Sequence, residues 1–388
     1  MGDVVAVLVF FAMNGVVFGS WASRVPALAA QVDAAEGVLG LALLGASVGM
    51  IAAASVAGRL CAVHGARRVL GVSTLASAAA APLLGLAPSP LLLGLALVLL
   101  GACVGTFDVA MNVAAVTVIR ATGRPMMPVF HAGFSFGGLL GAAGAYAAVT
   151  AGLAPFAHLV VVGVVVAAAS IAFVRQVPDE VRQTDAPVAK GPAPFRRPVL
   201  WLLAAVALCS AVAEGASADW SALFAAEYRG MGEATAALVY GAFSIAMAVT
   251  RLFGEWAQRR FGPQRLLVVG ALVGGGGLVL SAATSAPALT FAGFALAGVG
   301  LAYMFPVALD LAAAAGRRAD GTGGERELGF VTAIAYSGFL AGPPLIGGIA
   351  HLTDLAFALG VAGVIACVIA PAALAARAAA RREEIVRV

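Results

Sequence analysis

Charged residues are scarce in this chain. Asp, Glu, Lys and Arg make up only 11% of its 388 residues, whereas 62% are hydrophobic and the mean hydropathy is +1.01. A soluble domain carries roughly 25% charged residues, so this chain lacks the polar surface that a water-soluble fold needs. Apolar runs of about 20 residues, long enough to cross a ~30 Å hydrocarbon core, follow one another along the sequence. The sequence therefore predicts an all-α membrane protein with many spans.

Several motifs that define other protein classes are also missing. The four cysteines lie apart without a CxxC pair, so we expect neither a disulfide framework nor a metal site. No GxxxxGK(S/T) motif occurs, which argues against direct use of ATP and favours coupling to an ion gradient. No nucleophile stands beside a base, so we expect a non-enzyme without a cofactor. The first apolar run follows no cationic segment and is predicted to be a retained span, not a cleaved signal peptide.

Polar breaks divide the sequence into twelve apolar runs, each of which predicts a membrane-spanning helix. The longest polar segment, 175–198, is rich in proline and charge. It predicts a cytoplasmic linker between two six-helix bundles, 1–174 and 199–376, with a cytoplasmic tail at 377–388. The motif GGLLG of the fifth run recurs as GFLAG in the eleventh, as expected of two pseudo-symmetric halves. The runs are 4–24, 38–60, 68–87, 90–118, 128–150, 154–174, 199–224, 234–256, 264–284, 288–314, 328–350 and 355–376.

Arginine and lysine are distributed unevenly between the polar breaks. With the N-terminus placed inside, every basic residue except Arg24 and Arg229 falls on the cytoplasmic side. The positive-inside rule therefore predicts that both termini are cytoplasmic. The net charge of +4 reflects this topology, so no nucleic-acid partner is expected. We expect a monomer in the inner membrane of a bacterium, surrounded by lipid.

An acid and an amide lie deep inside the fourth apolar run. Gly94, Gly101, Gly105, Asp108 and Asn112 follow one another at steps of 7, 4, 3 and 4 residues and so share one helix face. A charged side chain costs ~2.5 to 3.5 kcal/mol in lipid on insertion scales and normally faces a protein-lined cavity. Two interpretations stay open. Asp108 accepts protons in a cavity and binds substrate with Asn112, or the face is a helix-packing stripe with one buried Asp.

The seventh run repeats this design. Ser210, Glu214, Ser217 and Ser221 follow at steps of 4, 3 and 4 residues, with Glu214 near the middle of the run. We predict that Glu214 couples protons and that Glu214 and Ser217 contact substrate. Asp219 lies five residues beyond Glu214, about 140° around the helix, and is expected to pair at the outer vestibule or with another helix.

His131 and Ser135 share a face in the fifth run, near its predicted cytoplasmic end. The histidine either shuttles protons or satisfies a backbone carbonyl, and both roles stay open. Aromatic faces with an amide between them suit a sugar-like ligand. Further candidates for substrate contacts are Asn14, Trp21, Tyr240 and Tyr336.

Four charged residues near predicted cytoplasmic ends are candidates for a gate between the halves. Arg251 and Glu255 lie four residues apart in the eighth run, which predicts an ion pair that latches the bundle. Arg59 and Arg67 lie at and just beyond the end of the second run, which holds the corresponding place in the first half. The sequence thus predicts a cytoplasmic gate that involves Arg59, Arg67, Arg251 and Glu255.

The loop after the second run carries Gly58, Gly65, Arg67 and Arg68. Together with the twelve apolar runs, it resembles the GxxxDxxGxRR signature of the major facilitator superfamily, and the resemblance covers essentially the whole chain. Ala62 occupies the position of the Asp, so the usual charge latch of the first half is incomplete. The resemblance implies two bundles of six helices that rock around a central site.

The segment from the fourth into the fifth run is similar to the fucose/proton symporter branch of that superfamily. There, an acid four residues before an Asn serves proton coupling and sugar binding, roles that the resemblance carries over to Asp108 and Asn112. His131 falls where that branch has a glutamine, and the acid of its first span is missing, because the match falls on Trp21 or Ala22. The blocks WASRVP, DVAMN, EGASADW and GPPLIGG look closer to a neighbouring group of poorly characterised bacterial permeases.

These observations predict a secondary active transporter that moves a small polar, sugar-like solute by alternating access, in symport with protons. Proton-driven efflux of a metabolite or drug is the alternative, favoured if Phe and Met dominate the cavity. A membrane receptor or enzyme without transport is a remote alternative, and no motif in the sequence supports it.

Overall fold

The computed structural model describes residues 2–122, 126–178, 194–316 and 324–387 as helices joined by short turns, and within these ranges no strand occurs. Twelve of the described helical segments are long and apolar enough to cross a membrane. They match the twelve predicted runs one for one. The α-helices are α1 Gly2–Ala22, α2 Val25–Gln31, α3 Glu36–His64, α4 Ala66–Ala80, α5 Pro90–Thr122, α6 Met127–Thr150, α7 Pro155–Phe173, α8 Pro198–Leu223, α9 Glu233–Leu252, α10 Gly254–Phe261, α11 Pro263–Ala283, α12 Pro287–Leu301, α13 Met304–Gly316, α14 Glu325–Leu352 and α15 Leu355–Arg387.

The main departures from the predicted spans are two short helices, one break and one extension. Helices α2 and α10 were not predicted, and α15 continues to Arg387, beyond its predicted end. The tenth span is split into α12 and α13, with the break just before Pro306. Proline has no N–H to bond the carbonyl four residues earlier, and its ring clashes with that carbonyl in a regular helix. The break therefore leaves the Ala302 carbonyl available to another donor.

The first half packs through glycines that allow backbone contact between helices. A Cβ added at Gly101 in α5 would lie 2.1 Å from the Ala46 carbonyl oxygen of α3, and one at Gly105 would lie 2.7 Å from the Met50 oxygen. The predicted glycine face thus meets a neighbouring helix over this stretch. Small residues permit such close approach where lipid supplies no hydrophobic drive for helix association.

The two halves meet on the membrane side opposite to the chain termini, where α1 ends and α9 begins. We call this side the opposite side, and the other the terminal side. The Arg24 guanidinium lies 3.4 Å from the Glu233 carboxylate of the second half. The Tyr228 hydroxyl donates to Glu36 at 2.9 Å, and the Ser47 hydroxyl donates to the Phe339 carbonyl at 2.9 Å. The first two contacts hold the halves together on the opposite side, and the bond from Ser47 to Phe339 joins α3 to α14 near the middle of both helices.

The start of α8 is anchored on the terminal side. Arg197 donates to the Glu383 carboxylate of α15 at 2.7 Å and to the Ala315 carbonyl of α13 at 2.9 Å. It also lies 3.6 Å from Glu327 of α14. One arginine thus ties four helices of the second half together where the chain leaves the predicted linker. Of that linker, residues 179–193 lie outside the described ranges.

Candidate functional site

Asp108 lies in α5 as a partly accessible carboxylate between the two halves. In the described part of the chain, no hydrogen bond or ion pair reaches its carboxylate oxygens. The Asn112 amide donates to the backbone carbonyl of Asp108 at 2.8 Å and leaves the carboxylate uncompensated. Tyr336 of α14, in the other half, lies within electrostatic range of that carboxylate. An uncompensated carboxylate at this depth is tolerated where it faces a protein-lined, wet cavity.

Arg251 joins both halves at the centre of the second constellation. Its guanidinium lies 3.5 Å from the Glu214 carboxylate of α8 and donates to the Ser135 hydroxyl of α6 at 3.3 Å. It also donates at 3.3 Å to the Ala302 carbonyl, the acceptor that Pro306 leaves unused. The break between α12 and α13 therefore creates part of the arginine's binding place, and Glu214 supplies its counter-charge.

His131 and Asn14 are the other two polar candidates of the first half, on α6 and α1. The imidazole packs edge-on against Phe11, with ring centroids 5.3 Å apart, and is within electrostatic range of Arg251. Asn14 is buried and its amide donates to the Met111 sulfur at 3.5 Å. The Asn14 carbonyl oxygen is buried without a hydrogen-bond partner among the described residues. An unpaired buried acceptor is costly, so this oxygen is a natural contact for a donor that arrives with a ligand.

Aromatic side chains from both halves form a continuous group beside these polar centres. The Phe18 ring lies 5.3 Å from that of Trp21, 6.3 Å from that of Phe134 and 6.1 Å from that of Tyr240 in α9. The Tyr240 hydroxyl is hydrogen-bonded with Ser244. These rings present both apolar faces and one hydroxyl to whatever enters between α1, α6 and α9.

The structure brings most of the predicted site residues into three groups. Asp108, to whose carbonyl Asn112 donates, is within electrostatic range of Tyr336. Arg251 connects Glu214 with Ser135, and His131 is within electrostatic range of Arg251. Trp21 and Tyr240 belong to the aromatic group and are almost fully buried. These predicted roles in substrate contact remain predictions, because no ligand is present.

Other predicted residues are placed differently. Ser217 is fully buried and its hydroxyl donates to the Ala213 carbonyl of its own helix at 2.8 Å, so the geometry gives it a packing role here. Arg67 donates to the Val177 carbonyl at the end of the first half. Arg59 is exposed, and the Glu255 side chain lies outside the described residues, so the predicted latch with Arg251 stays a prediction.

Two features of the site escaped the sequence analysis. The first is the pairing of Arg251 with Glu214, 37 positions apart in the chain. The second is the Ala302 carbonyl, for which Pro306 was the signal that the sequence contained. The contact of Phe18 with Tyr240 likewise depends on how the two halves meet, which no local pattern reveals.

Comparison with known sequences identifies the family. The model of the Major Facilitator Superfamily matches residues 5–324. The chain belongs to the Major Facilitator Superfamily. An uncharacterised transporter of this superfamily from Yersinia pestis is 33% identical over 95% of the chain and 94% of its own length. The membrane protein MosC of Rhizobium meliloti is 29% identical over 94% of the chain and 88% of its own length.

Solved structures share the fold at low sequence identity. A bacterial homologue of the lysosomal transporter Spinster, in an inward-facing conformation, has a TM-score of 0.75 at 14% identity and covers 97% of this chain and 96% of its own. The Escherichia coli fucose:proton symporter has a TM-score of 0.62 at 16% identity, with 96% and 98% covered. The predicted fold and superfamily are therefore confirmed. The superfamily member is a multi-pass membrane transporter and not an enzyme.

Proposed function

We propose that this superfamily member is a proton-coupled symporter for a small polar solute in the inner membrane of a bacterium. The observation that carries the proposal is the Asp108 carboxylate, which has no counter-charge among the described residues and lies between the halves near Tyr336. A charged carboxylate in such a place is costly, whereas the protonated acid is not. Movement of the halves around Asp108 is therefore sensitive to whether it carries a proton.

The transport cycle follows from this sensitivity. When the site is open to water, Asp108 is solvated and exchanges protons. Closure of the halves removes water from around it, and this step is favourable only with the proton bound. Opening on the other side restores hydration and releases the proton together with the solute. The same carboxyl group thus links the proton to the movement.

Arg251 has a different part in this mechanism. It is compensated by Glu214 within the second half and donates to Ser135 of the first. When the halves separate at this level, the bond to Ser135 has to break, whereas the pair with Glu214 can persist. Arg251 therefore senses the distance between α6 and α9 without leaving a bare charge in the membrane.

The fucose symporter and the nucleoside transporter NupG, which has a TM-score of 0.74 at 11% identity over 96% of this chain, both move polar solutes. They support a polar solute as the first choice. Asn112, Tyr336 and Ser135 offer the hydroxyl and amide groups that bind sugar-like molecules. The acid that the fucose symporter branch has in its first span is missing here, so Asp108 is the first candidate for the residue that binds the coupled proton.

The test is flux into proteoliposomes under an imposed pH gradient, with a labelled panel of fucose, glucose, glucosamine and uridine. We expect the wild type to accumulate at least one of them against its gradient. Asp108→Asn should lower this accumulation by more than about 10-fold, because the neutral amide cannot exchange a proton. Exchange of labelled for unlabelled solute, which needs no net proton movement, should fall by less than about threefold.

Asp3→Asn is the matched control, because it makes the same change at an exposed residue in the first turn of α1. It should leave accumulation unchanged. If Asp108→Asn accumulates solute as well as Asp3→Asn does, Asp108 is not the coupling residue. Absence of pH-driven accumulation of every solute in the panel by the wild type would overturn the proposed symport.

Efflux is the second candidate, and the aromatic side chains favour it. Besides the group around Phe18, the Phe305 ring lies 6.0 Å from that of Phe339 and 6.4 Å from that of Tyr336. Such apolar faces suit a hydrophobic drug or metabolite. Reversal of the pH gradient in the same proteoliposomes separates the two. Symport accumulates solute from the acidic side, whereas proton-driven efflux accumulates it from the alkaline side.

A further inference from the structure

One buried acid of the seventh span is not used by the proposed mechanism. Asp219 of α8 is only 9% exposed, within a stretch of the helix that is buried from 215 to 225. In the described part of the chain, no hydrogen bond or ion pair reaches its carboxylate. Arg251, which lies within electrostatic range of the neighbouring Tyr240, is already compensated by Glu214. Burial of an unpaired carboxylate is expensive, so its retention calls for a partner that comes from outside the chain.

The surroundings of Asp219 narrow the chemistry of that partner. The carboxylate acts electrostatically on Tyr240, whose ring lies 6.1 Å from that of Phe18. Glu214 and Arg251 act electrostatically on Tyr240 as well, so two acids and one arginine lie within electrostatic range of this residue. The face of an aromatic ring is electrostatically negative and attracts cations. Carboxylate and rings together therefore favour a positive group at this place.

We propose that Asp219, Tyr240 and Phe18 bind a protonated amine of the transported solute. This inference rests on the proposed function and names the class of solute, a polar molecule that carries an ammonium group. A metal cation is a poorer match, because hard cations need several oxygen ligands and aromatic rings supply none. A neutral sugar is also a poorer match, because it leaves the Asp219 charge uncompensated.

This assignment gives separate tasks to the two unpaired acids. Asp108 carries the coupled proton, and Asp219 holds the ammonium group of the solute. Asp219 lies in the part of α8 that approaches the opposite side, whereas Glu214 lies nearer the middle of its span and pairs with Arg251 from the terminal-side end of α9. The remainder of the solute then meets the polar groups around Arg251.

The experiment measures binding in the absence of any gradient. The apparent melting temperature of the purified protein in detergent is followed with three ammonium probes and their neutral counterparts. These pairs are glucosamine and glucose, ethanolamine and ethylene glycol, and tetramethylammonium and tert-butanol, with sodium chloride added to equal ionic strength. We expect at least one ammonium probe to stabilise the wild type, with at least 10-fold tighter apparent binding than its neutral counterpart.

Variants then locate the effect. Asp219→Asn should abolish the preference for ammonium, and Asp219→Glu should retain it at least in part. Tyr240→Phe keeps the ring and should bind within about threefold of the wild type, whereas Tyr240→Leu should bind at least about fivefold more weakly. Glu227→Gln neutralises an exposed acid just beyond α8 and should change nothing. If Asp219→Asn does not fold, Asp219→Glu and the two Tyr240 variants still test whether these residues bind the ammonium group.

The outcomes separate this inference from the proposed symport. No ammonium preference in the wild type, equal stabilisation by sodium, or an unchanged preference in Asp219→Asn each overturns the ammonium site. An altered pH dependence of flux without an altered ammonium preference also overturns it, because Asp219 would then carry protons. Ammonium binding without pH-driven flux leaves the site standing and removes the symport. pH-driven flux of a neutral solute without ammonium binding leaves the symport standing and removes the ammonium site.

Discussion

Asp108 in the fourth span and Glu214 in the seventh are acids near the middle of their spans, one in each half, and their surroundings differ. Glu214 lies 3.5 Å from Arg251, whereas no counter-charge among the described residues reaches Asp108. The charge of Glu214 is compensated by Arg251, so this acid needs no ligand. The unpaired acid depends on hydration, a proton or a solute to be tolerated.

The two halves therefore share a fold, but their buried charges are compensated differently. A paired charge in a membrane chiefly stabilises contacts between helices, and its removal leaves the partner charge uncompensated. An unpaired charge contributes little to static stability, and its removal affects function. We therefore expect substitutions at the two acids to separate stability from transport.

The largest effect on stability is expected for Arg251→Leu. This change leaves Glu214 without its counter-ion and should lower the free energy of unfolding by about 3 kcal/mol. The double variant Arg251→Leu/Glu214→Leu should recover most of that loss, because no bare charge remains. Chemical denaturation in detergent micelles checks both. A double variant no more stable than the single one would contradict the idea that pairing governs Glu214.

Gly101→Ala should have the next largest effect and leaves every charge in place. Its Cβ would lie 2.1 Å from the Ala46 carbonyl oxygen, so α5 has to move away from α3 at the level before Asp108. We expect a loss of about 1 to 3 kcal/mol in unfolding free energy. Gly94→Ala is the control on the same helix, because its Cβ would come no closer than 3.5 Å to Ala42. Equal stability of the two variants would show that this packing is unimportant.

Arg24→Gln removes an inter-half ion pair on the opposite side. Without the contact to Glu233, the halves should separate there more often, which is expected to raise the labelling rate of Ala237→Cys by about 3- to 10-fold. An impermeant maleimide measures this rate, with the unsubstituted background subtracted. Arg229→Gln is the control, because Arg229 bonds the Tyr228, Ser281 and Ala282 carbonyls, all within the second half. Equal labelling in both variants would count against a gating role for Arg24.

The smallest effect is expected for Ser217→Ala. Its hydroxyl is fully buried and bonded to its own helix, so both stability and flux should change little, by less than about 0.5 kcal/mol in unfolding free energy. Denaturation and solute exchange measure the two quantities. A large loss of exchange with unchanged stability would restore the predicted role of Ser217 in substrate binding and show that α8 rotates during the cycle.

The sequence by itself determined the class, the twelve spans and the superfamily. Hydrocarbon thickness dictates the length of an apolar run, and prolines at the first turns of α5, α7, α8 and α11 mark helix starts, so both signals are local. The same local rules identified Asp108 and Glu214 as acids that lipid alone would not tolerate.

Only the tertiary structure decided which acid is paired. Helical periodicity places Arg251, Ser217 and Gly101 on faces of their own helices, but it does not say which neighbour each face meets. Arg251 contacts Glu214 and the Ala302 carbonyl because α9 packs beside α8 and the broken tenth span. Asp219, expected to pair, has no hydrogen bond or ion pair with any residue that the structure describes. Contacts between helices depend on how all the spans assemble, and that information is spread over the whole chain.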